Sequence, residues 1–135
     1  MAVRLKNAGV SLTGTSLTAV YTCPANFTAR VREIFITNVD GSNAADITLS
    51  WTDTSASATY SLLSTLSVAA DNIYRIDNAN IMLEAGDILK AQAGAANDLM
   101  VLTKSHYHIA CAAVCSPRSF ERILSCFVLR FKNDV

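Results

Sequence analysis

The sequence predicts a mainly β fold: an antiparallel, jelly-roll-like β-sandwich with a C-terminal amphipathic helix. Polar and apolar residues alternate over short runs within residues 1–110, and turn-forming residues separate these runs at intervals of about 8–12 residues, as is typical of sandwiches and barrels. After residue 110 the apolar residues recur with the period of a helix. We therefore expect a β-sandwich domain over residues 1–110 and an extension over residues 111–135 that docks on the sandwich or on a neighbouring subunit.

The composition restricts what the chain can do. Of its 135 residues, 51% are apolar and 16% are charged, so the chain can bury a core but has few charges to cover its surface. A surface rich in Ser, Thr, Asn and Ala suits burial against neighbouring proteins. The formal net charge of zero argues against nucleic-acid binding, because phosphate contacts depend on excess Lys and Arg. No apolar run is long enough to span a bilayer, so no membrane partner is expected.

The first residues lack the apolar core of a signal peptide, which favours synthesis in a cytoplasm. In that reducing environment we expect free thiols rather than a disulfide framework. The cysteines concerned are Cys23, Cys111, Cys115 and Cys126.

Period-two alternation and turn residues predict the strands of the sandwich. They cover residues 15–23, 28–39, 46–51, 60–70, 72–76, 80–84, 88–93 and 99–109. The first strand is predicted to place on one face Leu17, Ala19, Tyr21 and Cys23. The second strand is predicted to place on one face Ala29, Val31, Glu33, Phe35 and Thr37, and on the other Arg30, Arg32, Ile34, Ile36 and Asn38. Because its second half is apolar on both faces, we expect a central strand.

A turn signal, Asp40-Gly41-Ser42-Asn43, separates the second and third strands. Turn residues between two β runs favour a hairpin, so residues 28–51 are predicted to pair as one. On its return strand, Ile47, Leu49 and Trp51 share the apolar face.

The tail after residue 110 has a different pattern. Its apolar residues at helical spacing are Phe120, Ile123, Leu124, Phe127, Val128 and Phe131. Ser116 and Pro117 supply an N-cap and a first-turn proline. These features favour a helix over residues 117–131, and a β-strand from Cys126 to Phe131 is the alternative. The six apolar residues are the candidate partner-binding residues.

One histidine–cysteine group could hold a metal in principle. His106 and His108 point to one face of a predicted strand, and Cys111 and Cys115 follow closely. Their spacing matches no zinc motif, so we predict no metal site and interpret the histidines as partly exposed residues that flank Tyr107.

No catalytic site is predicted. The two histidines lie close together on one strand, and neither a nucleophile elbow nor a phosphate-binding loop is present. The acidic residues at turns and strand ends are explained by capping of local amides, and a calcium site built from these loops is the alternative, although the sequence contains no calcium-loop motif. The acidic residues concerned are Asp40, Asp46, Asp53, Asp71, Asp77 and Asp87. Neither an enzyme nor a cofactor is expected.

Two aromatic residues could form a sugar-binding platform, Trp51 and Tyr60. A single Trp on the apolar face of a strand is more often part of the core, and we favour that interpretation.

Two stretches resemble small virion proteins of tailed bacteriophages. The stretch Leu17-Thr18-Ala19-Val20-Tyr21-Thr22-Cys23-Pro24-Ala25-Asn26, followed by a strand that ends Ile36-Thr37-Asn38-Val39, is similar to their opening. The stretch Leu83-Glu84-Ala85-Gly86-Asp87-Ile88-Leu89 is similar to their later turn. The resemblance covers about two thirds of the chain and ends near residue 110.

The resemblance implies a non-enzymatic β-sandwich protein of the virion, made in the host cytoplasm. It implies capsid decoration or cement, with the major capsid protein as partner and a homotrimer as the favoured state. The alternative is a tail or fibre component, which could contain a carbohydrate-binding sandwich. It supplies no catalytic residues.

Overall fold

The computed structural model describes residues 4–109, which form nine antiparallel β-strands. The strands are β1 (Arg4–Leu12), β2 (Thr18–Thr22), β3 (Phe27–Asn38), β4 (Ala45–Asp53), β5 (Ala58–Val68), β6 (Ile73–Ile76), β7 (Ile81–Leu83), β8 (Ile88–Ala93) and β9 (Leu99–Ile109). No helix that could cross a membrane occurs among these residues. The predicted mainly β class is confirmed for this part of the chain.

The strands form two facing sheets. Sheet A has the order β1-β9-β3-β6, with β7 also paired to β3, and sheet B has the order β2-β8-β4-β5. β6 and β7 occupy the same edge of β3, because β7 pairs with its first half and β6 with its second half.

The strand order is that of a jelly roll. The pairs β1–β9, β2–β8, β3–β6/β7 and β4–β5 together make one long antiparallel ribbon. Rolling this ribbon up adds the contacts β3–β9 and β4–β8, which complete the two sheets. The predicted sandwich is therefore built by strands that return from far along the chain.

The core lies between the sheets. Its largest fully buried apolar side chains come from both sheets: Leu12, Val31, Ile34, Ile36, Ile47, Leu49, Leu83, Leu89, Leu99 and Val101. Two alternating faces pressed together in this way bury most of the apolar residues of the sandwich.

The predicted 28–51 hairpin is wrong. Its turn exists, because the Asp40 carboxylate accepts a hydrogen bond from the Ser42 N–H at 2.9 Å. However, β3 belongs to sheet A and β4 to sheet B, so the turn connects the two sheets and the strands do not pair. Turn chemistry is local and is the same whether the next strand pairs or crosses over.

Two bulges overturn the predicted faces of the early strands. In β3 the register shifts between Val31 and Glu33, so burial passes from Ala29 and Val31 to Ile34 and Ile36. In β2 the register shifts between Ala19 and Tyr21, which leaves Leu17 and Ala19 exposed and buries Val20 together with Tyr21 and Cys23. One extra residue in a strand exchanges its two faces.

β1 was not predicted from the sequence, because few of its residues are buried and its sequence shows no clear alternation of apolar and polar residues. Its pattern of exposure is that of an edge strand paired on one side with β9. The predictions for residues 111–135 lie outside the described residues, among them the helix over 117–131.

Candidate functional site

The two segments that carry the phage resemblance meet at one end of the sandwich. The Cys23 N–H donates to the Asp87 carbonyl at 2.9 Å, and the Gly86 N–H donates to the Cys23 carbonyl at 2.9 Å. Gly86 has φ +92°, a conformation that L side chains rarely adopt, so this turn requires glycine. We call this the Asp87 end. It contains the β2–β3, β4–β5 and β7–β8 turns.

The Asp87 carboxylate joins the two sheets at this end. It is buried and accepts hydrogen bonds from Trp51 Nε1 at 3.1 Å, the Thr54 N–H at 3.0 Å and the Glu84 N–H at 3.0 Å. Trp51 and Thr54 belong to β4 and its turn in sheet B, whereas Glu84 follows β7 of sheet A. A buried carboxylate with three donors is a structural link between turns.

Asn38 has the corresponding role at the opposite end. Its Nδ2 donates to the Asn43 and Val68 carbonyls, each at 2.9 Å, and its Oδ1 accepts from the Asp40 N–H at 3.0 Å. It is buried and joins the end of β3 to the end of β5 in the other sheet. We call this the Asn38 end. The threonine-asparagine of the resemblance thus has a packing role.

The residues considered as metal ligands form no metal-binding group within residues 4–109. His106 and His108 lie on the outer face of sheet A and are half-buried, on either side of the buried Tyr107. This confirms the interpretation that they flank Tyr107. No group of three or more metal-binding side chains occurs among the residues that the structure describes, and Cys111 and Cys115 lie outside them.

Trp51 is a packing residue. It is half-buried, packs against the core, and donates a hydrogen bond from Nε1 to the Asp87 carboxylate. The ring of Tyr60 lies 5.4 Å away, centroid to centroid, and Tyr60 is 49% exposed. Of the two residues considered for a sugar platform, only Tyr60 presents a broad free surface.

Asp40 and Asp53 cap turns as predicted. Hydrogen bonds from the Asn43 side chain and the Ser42 amide lower the pKa of Asp40. Hydrogen bonds from the Ala56 amide and the Ser55 hydroxyl lower the pKa of Asp53. Both favour the ionised carboxylate and need no bound ion to explain them.

The outer face of sheet A is charged. The Glu33 carboxylate forms ion pairs with Lys104 at 3.2 Å and with Arg75 at 3.9 Å. Both cations also lie over the ring of Phe35, at 4.9 Å for Lys104 and 5.1 Å for Arg75. These charges already have partners within the sheet.

The outer face of sheet B is largely uncharged. One cross-strand row contains Thr22, Ile88, Thr52 and Thr59, and the next contains Lys90, Ser50 and Ser61. The edge strand β5 and its flanks, residues 54–70, contain no charged residue, and β5 exposes Tyr60 and Leu62. Burial of the edge formed by residues 54–70 would therefore remove no charged side chain from water.

Sequence reasoning did not single out Asn38 and Asp87 as links between the sheets. Both lie in motifs that it quoted, but a motif shows neither burial nor a distant partner. The available signal was the glycine before Asp87, which marks a turn tight enough for a carboxylate to reach neighbouring amides.

No protein-family model matches the sequence, and no curated protein matches it. Among solved structures, a chain of the capsid of Helicobacter pylori bacteriophage KHP30 is 13% identical with a TM-score of 0.49, covering 82% of this chain and 90% of that chain. A chain of the disulfide-linked pili of Bacillus endospore appendages is 9% identical with a TM-score of 0.49, covering 79% and 88%. The Drosophila NLP core, described with pentamer formation and histone binding, is 10% identical with a TM-score of 0.49, covering 76% and 98%. No family and no function is assigned from these similarities.

Proposed function

We propose that this chain is a non-enzymatic structural subunit of a tailed-phage virion, where it decorates and cements the capsid. The observation that carries the proposal is the edge strand β5 with its flanks, residues 54–70, which contain no charged residue and border the largely uncharged outer face of sheet B. The residues of the phage resemblance support it, because Asn38 and Asp87 have structural roles as links between the sheets.

The mechanism is passive. Burial of Ser and Thr hydroxyls costs less free energy than burial of charges, and the cores of protein interfaces are depleted of charged residues. Tyr60 and Leu62 supply exposed apolar area on the same strand. Contacts of this kind with the major capsid protein lower the free energy of the assembled shell.

The C-terminal extension is the second contact in this proposal. Its apolar residues would bind a neighbouring subunit as one face of a helix. They are Phe120, Ile123, Leu124, Phe127, Val128 and Phe131.

Quantitative mass spectrometry of purified virions tests the proposal. A cement subunit is expected in a fixed, high copy number relative to the major capsid protein, and a tail subunit in a low one. Virions that lack the chain would overturn the proposal. Particles assembled without it should lose their contents at a lower temperature than complete particles.

We further propose a homotrimer. Light scattering coupled to size-exclusion chromatography should give three times the mass of the 14.5 kDa chain. A monomer at micromolar concentration would contradict the homotrimer. The virion role would still be tested separately by mass spectrometry of virions.

A tail or fibre location with sugar binding is the second candidate, and the half-exposed Tyr60 ring beside Trp51 favours it. Glycan-array binding that is lost in Tyr60→Ala but kept in Tyr74→Ala, a control with a similarly exposed tyrosine on β6, would support it.

A further inference from the structure

A cavity of about 270 Å³ opens at the Asp87 end. Its apolar lining is formed by Leu5, Pro24, Phe27 and Tyr107, and Arg4 and Lys6 complete it. Lys6 Nζ lies 5.8 Å from the centre of the Tyr107 ring. Leu5 is 76% exposed, so a large apolar side chain stands at this cavity with little cover from residues 4–109.

The described chain stops beside this cavity. Ile109, the last residue of β9, pairs with Phe27, and Tyr107 lies two residues earlier on the same strand; both Phe27 and Tyr107 line the cavity. Since a strand advances about 3.3 Å per residue, the residues that follow Ile109 begin within a few ångströms of the lining.

The residues that follow are chemically suited to an apolar cavity. Residues 110–116 read Ala-Cys-Ala-Ala-Val-Cys-Ser, with no charged side chain and none larger than valine. The next charge is Arg118, after Pro117. Removal of such side chains from water is favourable because their surface is apolar.

We propose that residues 110–116 dock in this cavity of their own chain, covering Leu5, Phe27 and Tyr107. Arg4 and Lys6 offer donors at the cavity to backbone carbonyls of the segment. The docked segment would make the extension after Pro117 leave the sandwich from a fixed point. This last consequence rests on the proposed function, since a fixed starting point lowers the entropy lost when residues 117–131 bind a neighbour. The docking itself does not.

The native cysteines report on the docking. The full-length reduced protein is treated with iodoacetamide for timed intervals, and peptide mass spectrometry follows each thiol separately. We expect Cys111 and Cys115 to react at least about tenfold more slowly than in the same chain unfolded in denaturant, because modification then requires local opening. Cys23 is buried, and burial raises its pKa, so it is the slow internal reference.

Two variants locate the protection. Leu5→Asp places a charge in the lining, and Ala113→Asp places one in the segment; each is expected to bring both thiols close to the unfolded rate. Met100→Glu is the matched control, since Met100 is an exposed residue of β9 near the Asn38 end. In this variant Cys111 and Cys115 should stay protected. Trp51 fluorescence checks that each variant is folded.

Three outcomes would overturn the inference: reaction of both thiols at the unfolded rate in the native chain, protection that Leu5→Asp leaves unchanged, and protection that disappears on dilution. The last outcome would identify a second copy as the occupant. If Cys111 and Cys115 are protected but virions lack the chain, the virion role is refuted and the docking stands. If both thiols are unprotected but virions contain the chain, the docking is refuted and the virion role stands.

Discussion

Asn38 and Asp87 are buried polar residues whose hydrogen bonds cross between the sheets at opposite ends of the sandwich. Each satisfies backbone groups that would otherwise be left unpaired in turns. Loss of a partner leaves a buried donor without an acceptor, which costs more than the hydrogen bond contributes. These two residues are therefore the most sensitive polar positions that we identify in the sandwich.

Asp87→Asn is expected to lower the free energy of unfolding by about 2 kcal/mol. The amide group replaces one carboxylate oxygen with a donor, which then faces the N–H of Thr54 or those of Trp51 and Glu84. Denaturant unfolding followed by the fluorescence of Trp51, the only Trp of the chain, measures the change. Asp46→Asn, at an exposed position, is the control, and equal losses in the two variants would contradict the role of Asp87.

Thr65 is held at φ +51° in β5, a conformation that is unfavourable for a β-branched residue. Asparagine tolerates it best and, within residues 4–109, occupies four of the seven non-glycine positions with positive φ. We expect Thr65→Asn to raise the free energy of unfolding by about 1 kcal/mol. Thr65→Val keeps the β-branch and should bring no gain, and a gain of the same size in both variants would exclude backbone strain as the cause.

At the scale of elements, the turns decide where strands go without deciding which strands pair. The β3–β4 turn and the β4–β5 turn are both capped by an aspartate, yet one connects two sheets and the other connects neighbours in one sheet. Whether the two strands that a turn connects pair with each other depends on how those strands are buried.

A peptide of residues 27–53 should therefore form no hairpin in water. A peptide of residues 45–68 contains strands that do pair and is the matched control. Nuclear Overhauser contacts between backbone protons across the two halves should be present, at low population, in the control alone. Cross-strand contacts in the 27–53 peptide would show that the hairpin forms locally and is lost on folding.

The capped turns make stability depend on pH at the acid end. The pKa values of Asp40 and Asp53 are lower in the folded chain, so their contribution is complete above the unfolded value of about 3.9 and is lost as pH falls through the folded value. The melting temperature should fall as the pH is lowered below about 4, and Asp53→Asn should make the fall smaller. An unchanged pH profile in the variant would assign the acid sensitivity to other groups.

At the scale of the whole molecule, the sandwich is closed by strands from the two ends of the described chain. Arg4 pairs with Tyr107, and β9 lies between β1 and β3. Such non-local pairing makes folding slow compared with a fold of local contacts.

Amide hydrogen exchange should follow this arrangement. We expect the slowest exchange in the central strands β3 and β9, because the backbone amides of residues such as Ile36 and Val101 are exposed only by global unfolding. Exchange should be fast along the outer edge of β5. Nuclear magnetic resonance exchange rates measured at native pH test the order. Protection in β5 equal to that of β3 would indicate that a second chain covers this edge.

The amino-acid sequence was enough to predict the mainly β class, the bounds of β8 and β9, the capping roles of Asp40 and Asp53, the partly exposed position of His106 beside Tyr107, and the packing role of Trp51. These follow from periodicity and side-chain chemistry within a few residues. Sequence patterns did not show that β3 and β4 belong to different sheets, that bulges exchange the faces of β2 and β3, that β1 forms an edge, or that Asn38 and Asp87 link the sheets. Each of these depends on hydrogen bonds and burial between residues far apart in the chain, which leave no local pattern.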